Sequence, residues 1–437
     1  MNATDKLSKD ALVEGYFSYG KPRNTWRVGA EFERIGVHVS GRQLDYSEPG
    51  GISDILKELG SRFHWEPIFE GSNPIAMKRG KSFLTLEPGG QLELSSSPHT
   101  ALSDLFKEVS ENVHELQAVT QDTETHWIAT GVSPFSSPED VEWVPKGRYR
   151  IMRDYLPQRG ALAPVMMKST SSFQAAFDYK DESDCAAKTN ALLRLSPLTT
   201  ALFANSPIRL GEDTGLASSR AAAWEQTDVD RTGFPESLNA GYNHEKWVDY
   251  LLDVPMMFVQ EQDGWEPANG MTFREFMTRG RGGRYPTWQD WELHQTSVFP
   301  EVRVKHFIEL RGADACPIPL ALGGVAMWTG VLYDPTALDE ATELAMSFTA
   351  VQPLHESFKS AYRFGLKGEF GHQRLSRWAE VLFGIGKRGL ERYQPESLHL
   401  LAPLERLIET GESPATSQRK AFHDATSRAD YLKTIAY

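Results

Sequence analysis

In Phe307-Ile-Glu-Leu-Arg-Gly-Ala-Asp314, a strand sets Glu309 and Arg311 side by side, because successive side chains of an extended chain point to opposite faces. A carboxylate beside a guanidinium suits a metal-bound polyphosphate: the first holds the cation, the second a phosphoryl oxygen. Carried upstream, the alternation puts Val302, Val304, Ile308 and Leu310 on an apolar side and Arg303, Lys305, Phe307, Glu309 and Arg311 on the other. The run is read as continuous strand, one face for core and one for anions.

Three more segments repeat this two-faced pattern. In Val28-Gly-Ala-Glu-Phe-Glu-Arg34, Val28, Ala30 and Phe32 share one side, and Glu31 and Glu33 the other. In Phe83-Leu-Thr-Leu-Glu-Pro-Gly-Gly-Gln-Leu-Glu-Leu-Ser95, Pro88-Gly89 is expected to make a type II turn, Pro presetting φ and Gly taking the positive φ after it. Leu84, Leu86, Leu92 and Leu94 then face the core, opposite Thr85, Glu87, Gln91 and Glu93. In Ser172-Phe-Gln-Ala-Ala-Phe-Asp178, Phe173, Ala175 and Phe177 oppose Ser172, Gln174 and Asp178. Together these segments predict an antiparallel sheet with one carboxylate-rich face.

A Glu-x-Glu strand on its own is ordinarily a half-buried strand with a solvated outer face. Solvated faces mix Lys, Thr, Ser and Glu, however, whereas here Glu31, Glu33, Glu87, Glu93 and Glu309 gather against Arg303, Lys305 and Arg311. Like charges on neighbouring strands repel, and a bound cation relieves that repulsion. Oxygen-only ligands point to Mg²⁺ or Mn²⁺ rather than zinc.

Composition narrows the class. A chain of 437 residues, 40% of them hydrophobic, can bury a large core. Its net charge of -13 argues against a nucleic-acid partner, since no basic patch offsets the repulsion of phosphates. The opening residues Met1 to Asp10 show neither the apolar run of a secretory signal nor the Arg-rich composition of a transit peptide, so a cytoplasmic location is expected. Ala315 to Tyr333 carries no charge, but Pro317, Pro319, Gly323, Gly324 and Gly330 make it a buried core segment rather than a membrane helix. Only Cys185 and Cys316 are present, which excludes a disulfide framework, and the 12 histidines lack zinc-hydrolase spacing. Asp228-Val-Asp-Arg-Thr-Gly233 imitates the start of a calcium loop, yet Pro235 interrupts it and Asn239 stands where the closing Glu belongs.

No repeat or linker divides the chain, and a single catalytic unit, 1–437, is expected. Thr100 to Val119 reads as an amphipathic helix through Leu102, Leu105, Phe106, Val109, Val113 and Leu116. Glu182 to Asn205 reads as helix broken at Pro197, and the region from Leu338 onward as mostly helical. Arg279-Gly-Arg-Gly-Gly-Arg284 lacks the ending of a P-loop and is read as a surface loop, with closure over a substrate as the alternative.

The segments, in this order, resemble the plant and alphaproteobacterial type of glutamate-cysteine ligase. The resemblance runs from about Val28 to about Tyr333, more faintly into the 338–437 tail. It rests on Gly29-Ala-Glu-Phe-Glu33, Leu86 to Ser95, Pro145-Lys-Gly-Arg-Tyr-Arg-Ile-Met-Arg153, Ala201-Leu-Phe-Ala-Asn-Ser-Pro207, Thr227-Asp-Val-Asp-Arg-Thr-Gly233, Phe299-Pro-Glu-Val-Arg303 and Arg311-Gly-Ala-Asp314. It implies an α+β, glutamine-synthetase-like fold: a curved, largely antiparallel sheet, with flanking helices, presenting its polar face to metal-bound ATP. It further implies that the γ-carboxylate of glutamate takes the terminal phosphoryl group of ATP and that the amine of cysteine then displaces phosphate, the first step of glutathione synthesis. On this basis Glu31, Glu33, Glu87, Glu93 and Glu309 are expected to hold Mg²⁺, and Arg303, Lys305 and Arg311 to stabilise the transferring phosphoryl group. Arg148, Arg220 and Gln174 are expected to bind substrate. A structural ion pair explains Arg148 and Lys305 as well.

Two departures bear on the amine. Relatives usually read Gln-Val-Asn-Leu-Asp where this chain has Gln174-Ala-Ala-Phe-Asp178, losing an amide at Ala176, and Ala315-Cys-Pro-Ile318 replaces Gly-Gly-Pro-Trp. A lost site hydrogen bond shifts selectivity strongly, so a ligase for another amine is one alternative. A glycosidase using two of the glutamates shares the paired carboxylates but leaves the facing arginines unexplained. A non-catalytic nucleotide or amino-acid sensor is the third alternative. The cysteine pair that serves redox control in plant relatives has no counterpart here.

Overall fold

The computed structural model describes residues 7–262 and 264–437. The first six residues, part of the segment read for a leader, lie outside them. One nine-stranded sheet organises the molecule: β1 (Val28–His38), β2 (Glu66–Glu70), β3 (Asn73–Arg79), β4 (Ser82–Leu86), β5 (Leu92–Ser95), β6 (Thr125–Ile128), β7 (Ser172–Phe177), β8 (Val302–Val304) and β9 (Ile308–Asp314). The spatial order is β8-β9-β7-β1-β5-β4-β3-β2, with β6 on the far half of β1. Every pairing is antiparallel. The expected antiparallel sheet is thus observed, and its apolar parity holds: Val28, Ala30, Phe32, Leu84, Leu86, Leu92, Leu94, Phe173 and Phe177 are all buried.

Two local expectations are corrected. Residues 302–311 are not one strand but a hairpin, β8 turning into β9 through 305–307. Arg303 and Glu309 are direct cross-strand partners, so they share a face in a tight hairpin just as in a straight strand; parity alone does not separate the two shapes. Between β4 and β5 the positive φ falls on Gly90 (φ 83), not Gly89. Gly90 donates to the Glu87 carbonyl and Glu87 to the Gln91 carbonyl, both at 2.9 Å, the three-residue hairpin loop that ends in a left-handed glycine.

The helices that position the site are α1 (Leu102–Thr120), α2 (Gly147–Tyr155), α3 (Glu182–Leu202), α4 (Ser219–Glu225), α5 (Ile318–Tyr333) and α6 (Leu375–Tyr393). In α1 the expected stripe is buried at Leu102, Leu105, Val109 and Leu116, but Phe106 is 38% exposed. The α3 helix runs through Pro197 unbroken, contrary to expectation. Pro197 cannot donate to the Leu193 carbonyl, and the Ser196 hydroxyl donates to it instead, at 2.9 Å. Burial of nearly every residue from Ala191 to Leu202 holds that stretch straight against the sheet.

The uncharged segment becomes α5, buried along its whole length except at Pro319. Among the described residues no helix is long and apolar enough to cross a membrane. The tail from residue 335 is mostly helical, as expected. Where α5 crosses α6 the backbones touch: a Cβ on Gly330 would lie 2.2 Å from the Gly386 carbonyl oxygen, and one on Gly389 2.1 Å from that of Gly330. Gly330→Ala is therefore expected to destabilise the protein by about 3 kcal/mol, the upper range for overpacking, read as a lower urea midpoint. The arginines of 279–284 are held by local carboxylates, Arg284 by Asp290 at 2.8 and 3.0 Å and Arg281 by Glu266 at 2.9 Å. Asp228 pairs with Arg231 at 2.7 Å, both side chains fully buried, which agrees with rejecting a calcium loop.

Candidate functional site

The polar face of the sheet is built in rows by its registers. Arg303, Glu309, Ala176 and Gly29 lie across β8, β9, β7 and β1. The next row runs Gln174, Glu31, Ser95 and Phe83, and a third joins Glu33, Glu93 and Thr85. Between Leu310 and Ala313 the β9 register shifts. Such an irregularity re-aims the side chains within it, and Arg311 lies there with its guanidinium donating to the Gln174 side-chain oxygen.

These rows floor two cavities that share Glu31 and Gln174. The first, about 290 Å³, is lined by Glu31, Glu33, Glu87 and Glu93 together with Arg148, Arg303 and Arg311. Trp224, Phe258, Phe299 and methionines close its apolar side. The second, about 700 Å³, is lined by Phe83, Phe307, Ala175 and Ala176, with Lys21, Arg27 and Lys81 among its basic groups.

The carboxylates fall into two electrostatic classes. Burial pushes Glu31 up to about 7, helped by the charges of Glu93 and Glu309. Burial likewise pushes Glu33 up to about 8, with Glu87 and Glu93 adding to the shift. Glu93 is raised by burial and by Glu87, although Thr85 donates to it at 2.8 Å and Ser95 at 3.2 Å. Glu309 is the exception. Burial opposes its ionisation, but Arg303, Lys305 and Arg311 overcome this and hold it far below the usual carboxylate range. Lys305 Nζ lies 2.6 Å from Oε1, Arg311 Nη1 lies 3.6 Å from Oε2, and Arg303 Nε also meets Oε2.

Three cations compensate the charge of Glu309, which also lines the second cavity; in this arrangement the carboxylate holds the cations in place. Lys305 reaches Glu309 and lines neither cavity, so the ion-pair reading describes it. Arg220, in α4, also lies behind the first cavity rather than in its lining. Its Nη2 donates to the Arg311 carbonyl at 3.0 Å, supporting the irregular stretch of β9 that carries Arg311. Arg148 and Gln174 line the first cavity, Gln174 donating to Glu33 at 3.4 Å.

Glu31, Glu33, Glu87 and Glu93 remain as oxygen donors around one cavity. Among the described residues no three acidic or histidine side chains close on a common point. Magnesium does not need such a cage, since it takes one or two carboxylates and completes its octahedron with water and phosphate oxygens. Two anions pushed up to about 7 and 8 by burial and mutual repulsion fit a place where a divalent cation belongs.

Sequence reasoning missed Lys146 and Tyr149, both in the lining. The α2 helix that carries Tyr149 and Arg148 starts on Glu70, which accepts the Gly147 N–H at 2.7 Å at the positive end of the helix. Lys146 and Tyr149 donate to the Leu86 carbonyl at 2.7 and 2.5 Å, pinning this segment to the hairpin that bears Glu87. Burial lowers Lys146 to about 8, assisted by Arg148. The available signal was their place in the Pro145 to Arg153 run, but nothing local to that run shows which side chains turn inward.

The two departures at 176 and 315–318 are also relocated. Ala176 lines the second cavity only, and Ala315 and Cys316 are each 1% exposed and line neither. Strand β9 ends at Asp314 and the chain turns into the core at α5, carrying that loop away from the site.

The model of glutamate-cysteine ligase family 2 matches residues 27–433. The chloroplastic glutamate-cysteine ligase of Medicago truncatula is 36% identical over 428 residues, covering 96% of this chain and 83% of that protein. That of Brassica juncea is 37% identical over 420 residues, covering 94% and 80%. Among solved structures, a glutamate-cysteine ligase from Francisella tularensis in complex with AMP superposes with a TM-score of 0.57 at 14% identity, over 94% of this chain and 87% of that one. A bifunctional glutathione synthetase from Pasteurella multocida gives 0.51 at 14%, over 97% and 52%. At such identity the likeness is one of fold, and it agrees with the expected architecture. The matched span and the plant relatives go further: this chain belongs to glutamate-cysteine ligase family 2.

Proposed function

We propose that the two cavities together bind ATP and glutamate, and that the protein joins the γ-carboxylate of glutamate to the amine of cysteine through a γ-glutamyl phosphate. One observation carries this: a single cavity whose lining sets Glu31, Glu33, Glu87 and Glu93 against Arg148, Arg303 and Arg311. Facing sets of opposite charge hold a metal-bound phosphate chain and a substrate carboxylate together, whereas a glycosidase has no use for the arginines.

The adenosine lies in the second cavity between Phe83 and Phe307, and the phosphates pass Glu31 and Gln174 into the first. Glu31, Glu33, Glu87 and Glu93 would hold magnesium, which would supply neutralisation of the phosphate charge. Arg311, clamped by Gln174 and Glu309, and Arg303 face the phosphoryl group in flight, so charge stabilisation is in place before transfer. A carboxylate oxygen of glutamate bonds to the terminal phosphorus as the bond to ADP breaks. The amine nitrogen of cysteine then bonds to the acyl carbon, phosphate departs, and the amine loses a proton. Arg148, beside Glu87 at the start of α2, orients the glutamate. Free, buried thiols at Cys185 and Cys316 suit a reducing compartment, and the cytoplasm is our proposal for it.

The test is phosphate release from ATP with Mg²⁺ and glutamate across a panel of amines. Release that requires both glutamate and cysteine is expected. Release with a different amine would change the acceptor, and none with any amine would sink the reading. Because Ala176 lines only the nucleotide cavity, Ala176→Asn is expected to change the KM for ATP about fivefold, the worth of one hydrogen bond near 1 kcal/mol. The KM for cysteine should stay unchanged.

A further inference from the structure

The run from Thr227 to Gly233, prominent in sequence, lines neither of the two cavities, yet it holds the segment that leads into β8. The carbonyls of Arg231 and Gly233 accept from the Phe299 and Glu301 N–H groups at 2.7 and 2.9 Å. Glu301 is thereby fixed against β9. The Arg311 N–H donates to the Glu301 carbonyl at 3.1 Å, and the Arg311 carbonyl accepts from Arg220 Nη2 at 3.0 Å. Both backbone polar groups of Arg311 are therefore held, within the stretch where the β9 register shifts. Arg220 is anchored in turn. Its N–H donates to Ser206 Oγ at 3.2 Å, and Ser206 and Ser218 donate to the Asp314 carboxylate at 2.6 and 2.7 Å. The Glu301 side chain is 8% exposed, and its Oε2 is buried without a hydrogen-bond partner, as is Arg220 Nε. A Cβ on Gly312 would lie 2.3 Å from that Oε2, so glycine at 312 is what lets the carboxylate lie against the β9 backbone.

We propose that Glu301 is a positioning residue for Arg311: with Arg220 it holds the irregular stretch of β9 so that the Arg311 guanidinium stays turned towards the terminal phosphate of the nucleotide. The inference rests on the ATP reading above. Glu301 lines neither reaction cavity, so it acts through Arg311 rather than on the substrates. A buried acceptor left without a donor lowers stability, and burial pushes Glu301 up to about 7 although Arg220 and Arg311 oppose the shift. The carboxylate is thus kept at a cost to the fold. What it supplies is a negative charge facing two buried guanidinium groups, which would otherwise repel each other and let Arg311 move. A group that costs stability yet fixes a reacting arginine is the pattern of a functional site.

The experiment is calorimetric titration of the full chain with AMP and with β,γ-imido-ATP, both with Mg²⁺, for the wild type, Glu301→Gln and Gly312→Ala, beside kcat and thermal melting. For Glu301→Gln, AMP affinity should stay unchanged, affinity for the imido analogue should fall about tenfold, and kcat should fall by about tenfold or more, as when a reacting group is misplaced. Its melting temperature should be no lower than that of the wild type, because the amide removes a buried charge. Gly312→Ala keeps the charge but takes the space of Oε2, and should lose analogue affinity and kcat in the same way. Equal analogue affinity and kcat in the wild type and Glu301→Gln would overturn the proposal. So would a lower melting temperature with both nucleotides weakened together, the mark of a merely structural residue. A wild type that binds the analogue no more tightly than AMP would instead sink the phosphate reading, and the proposal with it.

Discussion

Glu309→Gln should both unfold the protein more easily and abolish turnover. The carboxylate sits 2% exposed beneath Arg303, Lys305 and Arg311, and the amide would leave those buried cations facing one another. Removing one partner of a buried ion pair costs about 3–5 kcal/mol, so the urea midpoint should fall clearly. Turnover should fall with it, because the same carboxylate holds the guanidinium groups that face the phosphoryl group. Because Glu309 is held far below its ordinary value of 4.5, its stabilising contribution is complete above the usual carboxylate range. It is lost only as acid drives the pH well below that value. A variant of wild-type stability at neutral pH would refute this account of the cluster.

The opposite sign is expected for Glu31→Gln and Glu33→Gln. Both carboxyls are raised in the folded protein, to about 7 and about 8 from an ordinary 4.5. Between those limits the folded state binds protons that the unfolded chain does not, so without ligand, stability declines as pH rises from about 4.5 to about 8. Each amide removes one such penalty, on the order of 3 kcal/mol for Glu31 and about 5 kcal/mol for Glu33. Each variant should therefore melt higher than the wild type at pH 8, with the gap closing towards pH 5. ATP with Mg²⁺ should flatten the wild-type curve, since a bound cation relieves the same repulsion. Despite the added stability, kcat should fall about a hundredfold or more, as when one preorganised electrostatic contact is lost from a reacting site. Melting curves across pH, set beside steady-state rates, separate the two effects. A Gln variant that is less stable at pH 8, or turns over normally, would contradict the assignment.

Period-two alternation was enough to assign the inward leucines of β4 and β5, the outward glutamates of β1 and β5, and a sheet with one acidic face. The polar set of Gln174 and Arg311 was legible for the same reason. Side-chain direction along a strand follows from the local pleat, which needs no knowledge of the neighbours. The family was legible too, through runs such as Leu86 to Ser95 and Thr227 to Gly233 that are long and unusual in composition.

Neighbours were what the tertiary structure decided. Glu31 and Glu309 look alike in sequence, each a glutamate on a polar strand face. Yet one is pushed up by burial and by other carboxylates, while the other is pulled down by three cations. The hairpin at 305–307, the unbroken helix through Pro197, the inward turn of Lys146 and the unmatched Glu301 also depend on segments distant in the chain. Coulomb forces and desolvation act through space on whatever folding brings within a few ångströms. The order of residues therefore determined which groups face the cleft, and only the assembled sheet with its packed helices determined the charge each of them carries there.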